Sequence, residues 1–132
     1  MTNLYESQLW LDRAKDTLMA SDITLKNDLL LASVNRAYYA MFYCATAFLR
    51  SENIVTKSHS GTLNRFSEIF IKSNRINTQY AINLRKAFDL RQASDYDIEV
   101  DISEKEVEKL LANAADFYTF TRIYIEKLVI DS

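Results

Sequence analysis

The 132 residues of the sequence include no proline, one glycine, one cysteine and one histidine. Proline and glycine form tight turns and end strands, so their scarcity argues against a sandwich, a barrel or a doubly wound sheet. With Gly61 as the only glycine, a glycine-rich phosphate loop is excluded. One cysteine excludes an internal disulfide and a cysteine-based zinc site, and one histidine weakens the case for a histidine-based metal site. We therefore predict neither a metal nor a cofactor.

The composition is that of an ordinary globular protein, with 48% hydrophobic and 26% charged residues. The length suits a single domain over residues 1–132. No basic segment precedes an apolar run at the N-terminus. The longest uncharged stretch, residues 37–49, has 13 residues, whereas a membrane-spanning helix needs about 20. We expect a cytoplasmic protein with no membrane association.

Hydrophobic residues recur at helical spacing along most of the chain, and this pattern predicts five helices. The first is predicted over residues 3–22 and the second over residues 28–50. The second is apolar on all its faces, which is typical of a central helix. Residues 96–102 alternate acidic and aliphatic side chains and are interpreted as a loop. The pattern predicts an all-α, up-and-down antiparallel bundle of four or five helices.

Capping residues indicate where the three later helices begin. Ser58 or Ser60 is expected to cap the third helix. The fourth helix is predicted to start at residue 77 or 78. Ser103 is followed three residues later by Glu106, and this capping box predicts the start of the fifth helix.

The charges are unevenly distributed, although the formal net charge is only −2. Eight basic and three acidic residues lie between Arg50 and Arg91. One basic and seven acidic residues lie between Gln92 and Glu108. This separation predicts either one basic and one acidic face or, more simply, solvated surfaces of individual helices.

Arg91 is the first candidate site residue, because it continues an apolar stripe that includes Leu84 and Phe88. A charge on such a stripe needs a partner, and Asp95 lies one helical turn further on. One interpretation is a structural ion pair that fixes the end of the fourth helix. The other is an arginine that grips phosphate, with Asp95 or Tyr96 beside it for proton transfer.

Arg36 is the second candidate, because it interrupts the otherwise apolar second helix. An arginine in such surroundings is expected to find a carboxylate. The candidates are Asp95, Asp97 and Asp101. Arg36 is thus either half of a buried structural salt bridge or a ligand for a phosphate group.

The third candidate is the segment that contains Lys57 and His59, immediately before and at the predicted start of the third helix. The free N–H groups of a helix N-terminus attract anions, and a lysine with the only histidine beside them suits a phosphate contact. The alternative is an ordinary helix cap with an exposed histidine.

Three motifs in series resemble those of a known family. The sequence RAYYAMF at residues 36–42 is followed by KSHSG at residues 57–61, and then by AFDLRQASDYD at residues 87–97. In this order and spacing, the chain resembles the small stand-alone HEPN (higher eukaryotes and prokaryotes nucleotide-binding) proteins from about residue 5 to 128. The resemblance implies a bundle of four or five helices that forms a homodimer. It also implies a minimal nucleotidyltransferase as the operon partner.

The resemblance also implies the signature of active HEPN toxins, which is an arginine followed, after four to six residues, by a histidine. Two copies face each other across a dimer cleft and cleave RNA without a metal. The arginine holds the scissile phosphate and the histidine moves protons. Arg91 matches the arginine of this signature, but Tyr96, Asp97 and Ile98 occupy the positions where the histidine is expected. The family's residues are therefore carried over only as far as Arg91.

Two functional hypotheses follow. In the first, the protein is a toxin-like component that binds RNA or nucleotide phosphate through Arg91, with metal-independent RNase activity and a nucleotidyltransferase partner. In the second, it is an inactive nucleotide-binding or scaffold module for that partner. An open basic cleft at Arg91 would favour the first hypothesis. A closed pair of Arg91 with Asp95, or of Arg36 with Asp97, would favour the second.

Overall fold

The computed structural model describes residues 4–132. The elements in chain order are α1 (Leu4–Lys26), α2 (Leu30–Arg50), α3 (His59–Phe66), a π-helical turn (Ser67–Ile71), α4 (Thr78–Tyr96) and α5 (Glu104–Asp131). No strand occurs among these residues, and the all-α prediction is confirmed. None of the described helices has both the length and the apolar composition needed to cross a membrane.

The predicted boundaries of the first two helices need correction. Asn3, the predicted first residue of α1, lies outside the described residues. At its other end α1 continues one turn beyond residue 22, because Leu25 still packs against the core. The start of α2 is two residues later than predicted, since Asp28 adopts a φ of 61° in the turn between the helices. This left-handed conformation is incompatible with a helix interior.

The predicted starts of the later helices are confirmed. Ser58 caps α3, because its Oγ accepts the N–H of Gly61 at 2.9 Å. The Asn77 side chain caps α4. Ser103 and Glu106 form the expected capping box of α5. Residues 97–102 form a loop, as predicted, but Tyr96, the first residue of the predicted loop, is still part of α4.

Helices α1 and α2 pack in antiparallel fashion. Ser7 Oγ donates to the carbonyl of Ala47 at one end of the α1–α2 pair. Ser21 Oγ donates to the carbonyl of Ser33 at the other end, and each of these two hydrogen bonds is 2.9 Å long. The residue numbers rise on α1 as they fall on α2, so the two helices run in opposite directions.

The core is organised around α2, which contacts all the other α-helices. Phe48 is fully buried. It packs against the rings of Phe66, Phe70, Phe117 and Tyr124, with centroid distances of 5.5, 5.2, 6.1 and 4.9 Å. This central position agrees with the prediction from the apolar composition of α2.

Cys44 belongs to the same core. It is fully buried, and burial raises its pKa to about 12. A thiol with such a pKa is not a nucleophile near neutral pH, so Cys44 has a packing role.

Candidate functional site

Arg91 lies near the C-terminal end of α4 with its side chain only 12% exposed. Its Nη1 donates to Asp95 Oδ2 at 3.0 Å, which confirms the ion pair expected one helical turn apart. Its Nε is buried and has no hydrogen-bond partner within the part of the chain that the structure describes. The guanidinium is therefore only partly satisfied by Asp95 and has a buried donor left over.

Aromatic rings hold the Arg91 guanidinium in place. Its central carbon lies 5.0 Å from the ring centroid of Tyr38, 5.8 Å from that of Tyr39 and 5.7 Å from that of Phe88. Such cation–π contacts favour a cation over the ring face. Arg91 is thus positioned by packing from α2 and α4 as well as by its carboxylate.

His59 reaches the same rings although it lies far from Arg91 in the sequence. It is the first residue of α3 and is half-buried. Its Nδ1 lies 2.6 Å from the hydroxyl of Tyr38, and its ring stacks on Phe42 with a centroid distance of 4.5 Å. Tyr38 therefore contacts His59 through its hydroxyl and Arg91 through its ring face.

The protonation of His59 follows from these contacts. Burial lowers its pKa, and the positive charge of Arg91 lowers it further, so the imidazole is neutral at pH 7. Burial raises the pKa of Tyr38, so its hydroxyl keeps the proton. Tyr38 is fully buried and Nδ1 of His59 is the hydrogen-bond partner of its hydroxyl among the described residues, so we infer that the hydroxyl donates to Nδ1 and leaves no unpaired proton. The neutral imidazole then carries its own proton on Nε2, which makes Nε2 a hydrogen-bond donor for a ligand.

Arg36 does not form the expected salt bridge. Its Nε and Nη2 donate to Asn35 Oδ1 at 3.0 and 2.7 Å, and no carboxylate of the described residues lies within ion-pair distance. The prediction was wrong because it assumed a buried arginine, whereas Arg36 is half-buried on a face where water can solvate it. Its guanidinium lies 5.2 Å from the ring centroid of Tyr39, the ring that Arg91 also contacts.

Lys57 is exposed at the rim of a pocket of about 220 Å³ next to His59. Trp10 and Phe42 contribute apolar walls to this pocket. Arg50, a further lining residue, forms an ion pair with Glu6 of α1. Lys57 thus adds positive charge on the side of His59 that faces α1.

Tyr96 stands apart from the other candidates. It is the last residue of α4 and is 81% exposed. Within the described residues, its side chain has no hydrogen bond or ring contact that joins it to Arg91 or His59. A role for Tyr96 remains a prediction from the sequence.

Sequence analysis did not find that Tyr38 and Phe42 hold His59. The two aromatic residues are four apart on α2 and therefore face the same way, which is a signal visible in the sequence. Nothing local indicates that the start of α3 packs against this pair. The structure thus brings Arg91, Asp95, His59 and Arg36 together around two tyrosines.

The fold and the site define a small helical-bundle protein in which two arginines and a histidine meet on the aromatic rings of α2. A sequence model described as "HEPN domain" matches residues 7–124. A Methanocaldococcus jannaschii protein named "Putative toxin MJ0142" is 33% identical, and the match covers 91% of this chain and 82% of that protein. A "UPF0332 protein" of Thermotoga maritima is 32% identical over 94% of this chain and 91% of its own. Another, of Gloeobacter violaceus, is 37% identical over 85% and 90%. The chain belongs to the HEPN domain family.

Proposed function

We propose that this protein is a toxin-like HEPN component whose Arg91 and His59 bind the phosphodiester of RNA. The observation that carries the proposal is the meeting of these two residues around Tyr38. His59 would then take the part of the histidine that is absent at residues 96–98. Two relatives from Methanocaldococcus jannaschii have the word toxin in their names, which supports the same proposal.

Arg91 is the proposed phosphate anchor. A phosphodiester competes with Asp95 for the guanidinium and engages donors that Asp95 does not use, through charge-assisted hydrogen bonds. His59 adds a neutral hydrogen bond from Nε2. Arg36, over the ring of Tyr39, and Lys57, beside His59, add positive charge that strengthens the attraction for the RNA backbone.

This donor pair favours RNA cleavage without a metal. When the ribose 2′-oxygen attacks phosphorus, the P–O2′ bond forms, the P–O5′ bond breaks, and negative charge grows on the non-bridging oxygens. Arg91 and His59 stabilise that charge. Since neutral His59 carries its proton on Nε2, it acts as a donor and not as a base. Solvent takes the 2′-hydroxyl proton and protonates the leaving 5′-oxygen, so we expect slow cleavage.

Incubation of the purified protein with total RNA in the presence of EDTA tests this function. Cleavage under these conditions is the expected result. Retention of RNA without cleavage would restrict the function to binding. The absence of both would contradict the proposal.

The family membership also supports two proposed protein partners, a second copy of the chain and a minimal nucleotidyltransferase. The homodimer would place two Arg91 sites across one cleft. Sedimentation of the purified chain tests the first partner, and co-purification with the nucleotidyltransferase from the same operon tests the second.

A second candidate function is an inactive scaffold or nucleotide-binding module for that nucleotidyltransferase. The closed pair of Arg91 with Asp95 favours it, because the arginine already has a carboxylate partner. The pair of Arg36 with Asp97, which would favour it further, is not formed among the described residues.

Replacing Asp95 with asparagine separates the two functions. If Arg91 binds RNA, Asp95→Asn removes a competing charge and raises RNA affinity about fivefold, since a partly exposed ion pair contributes up to about 1 kcal/mol. Fluorescence anisotropy of a labelled RNA measures this. Glu126→Gln is the matched control, because Glu126 pairs with Arg122 at the same helical spacing on α5. If the protein is a scaffold, Asp95→Asn should have a lower melting temperature than wild type. Neither wild type nor Asp95→Asn should then bind RNA.

A further inference from the structure

Three aromatic side chains form a continuous surface beside the phosphate site. Trp10 of α1 and Tyr43 of α2 have ring centroids 5.5 Å apart, and Tyr43 and Tyr39 have centroids 5.9 Å apart. All three rings are half-buried. We refer to Trp10, Tyr43 and Tyr39 as the aromatic track.

Two arginines lie over the aromatic track. The Arg13 guanidinium carbon is 5.1 Å from the Trp10 ring and 5.8 Å from the Tyr43 ring. Arg36 is 5.2 Å from the Tyr39 ring. Neither arginine has a carboxylate within ion-pair distance in residues 4–132. The surface thus combines stacking area with uncompensated positive charge.

The aromatic track is continuous with the site at Arg91 and His59. Tyr39 meets the His59 ring edge-on at 5.5 Å and lies 5.8 Å from the Arg91 guanidinium. At the other end, Trp10 lines the pocket that Lys57 and His59 also border. A strand bound on the track would therefore lie next to the proposed phosphate anchor.

Alternating rings and arginines suit single-stranded nucleic acid. Unpaired bases stack on aromatic rings and guanidinium planes, while the phosphates take up the free arginine donors. A duplex hides the faces of its bases and offers only its backbone and groove edges. An acidic protein partner would satisfy the arginines but would leave the ring faces unused.

We propose that the aromatic track binds single-stranded RNA and guides it to Arg91 and His59. The inference rests on the proposed function for the choice of RNA, and it adds the strandedness of the substrate and the path that the strand takes. Since guanidinium groups lie over the three rings, bases would stack on the guanidinium planes and on the exposed parts of the rings, as on other RNA-binding surfaces.

The fluorescence of Trp10 tests this proposal, because it is the only tryptophan in the chain. The full-length Arg91→Ala protein is titrated with an eight-nucleotide oligouridylate and, separately, with an RNA duplex of the same length. This background keeps the aromatic track while removing the anchor and the cleavage. We expect saturable quenching by the single strand and much weaker quenching by the duplex.

Variants locate the binding surface. Tyr43→Leu keeps an apolar side chain but removes the ring, and we expect it to weaken binding of the single strand about tenfold. Arg13→Ala is expected to weaken it by a smaller factor. Arg122→Ala, which removes an arginine of α5 paired with Glu126, is the control and should bind like the parent protein.

The outcomes distinguish this inference from the function on which it rests. If wild type cleaves RNA in EDTA but the oligouridylate leaves Trp10 fluorescence unchanged, the function stands and the track is rejected. Equal quenching by duplex and single strand also rejects it. If Trp10 fluorescence instead changes with protein concentration, and the mass doubles over the same range, the surface joins two copies of the chain. The proposal is then overturned. If the single strand quenches Trp10 fluorescence but wild type does not cleave RNA, the track is supported and the RNase activity is rejected.

Discussion

Replacing Arg91 with alanine is expected to lower RNA cleavage by about 10²–10³-fold, the cost of removing one donor that stabilises the transition state. The bundle should keep its fold. Asp95 is 37% exposed, so water can solvate its carboxylate once the partner is gone. Truncation also removes the packing of the guanidinium on Tyr38, Tyr39 and Phe88, so the loss in the free energy of unfolding should be about 1–2 kcal/mol. Cleavage of total RNA in EDTA and thermal unfolding measure the two effects.

Arg122→Ala is the control for the loss of an ion pair at this spacing, on a side chain that is 41% exposed against 12% for Arg91. Arg122 pairs with Glu126 at the same spacing on α5, with an Nη1–Oε1 distance of 3.2 Å. Its replacement should leave cleavage unchanged. A different outcome for Arg91→Ala, a fall in unfolding free energy of about 3–5 kcal/mol, would indicate a buried structural pair. Cleavage at the wild-type rate by Arg91→Ala would also contradict the proposed role.

Replacing Phe48 with alanine is expected to have the largest effect on stability, a loss of about 3–5 kcal/mol in the free energy of unfolding. The side chain is fully buried and packs against rings from α3, the π-helical turn and α5. Its removal leaves a cavity that these rigid neighbours cannot fill. Urea unfolding measures the change.

The comparison for Phe48 is Ile123→Ala on α5. Ile123 is 55% exposed, so its truncation should change stability by no more than about 0.5 kcal/mol. A loss below about 1 kcal/mol for Phe48→Ala would show that the core is not organised around this residue of α2.

The fold could be predicted from the sequence because its signals are local. Helical periodicity revealed the predominantly apolar α2. The side chains of Ser58 and Ser103 marked helix starts through hydrogen bonds that span only three residues. The last turn of α1 was not predicted, because Leu25, the residue that packs this turn against the core, does so through a tertiary contact. The π-helical turn after α3 had no recognisable signal either.

The candidate site was only partly predictable for the same reason. The pair of Arg91 with Asp95 is local to one helix and was expected from the spacing. The contact of His59 with Tyr38 joins α3 to α2, and no pattern within either segment indicates it. The expected carboxylate for Arg36 was wrong because the sequence does not show which face of an apolar helix remains uncovered.

The central claim is that Arg91 and His59 bind the same phosphate, and a double-mutant cycle on RNA affinity tests it most directly. The dissociation constant of a labelled single-stranded RNA is measured for wild type, Arg91→Ala, His59→Gln and the double variant. If both residues hold one phosphate, each single variant weakens binding and the double variant loses less than the product of the two factors. Factors that simply multiply, or wild-type affinity in His59→Gln, would contradict a shared site.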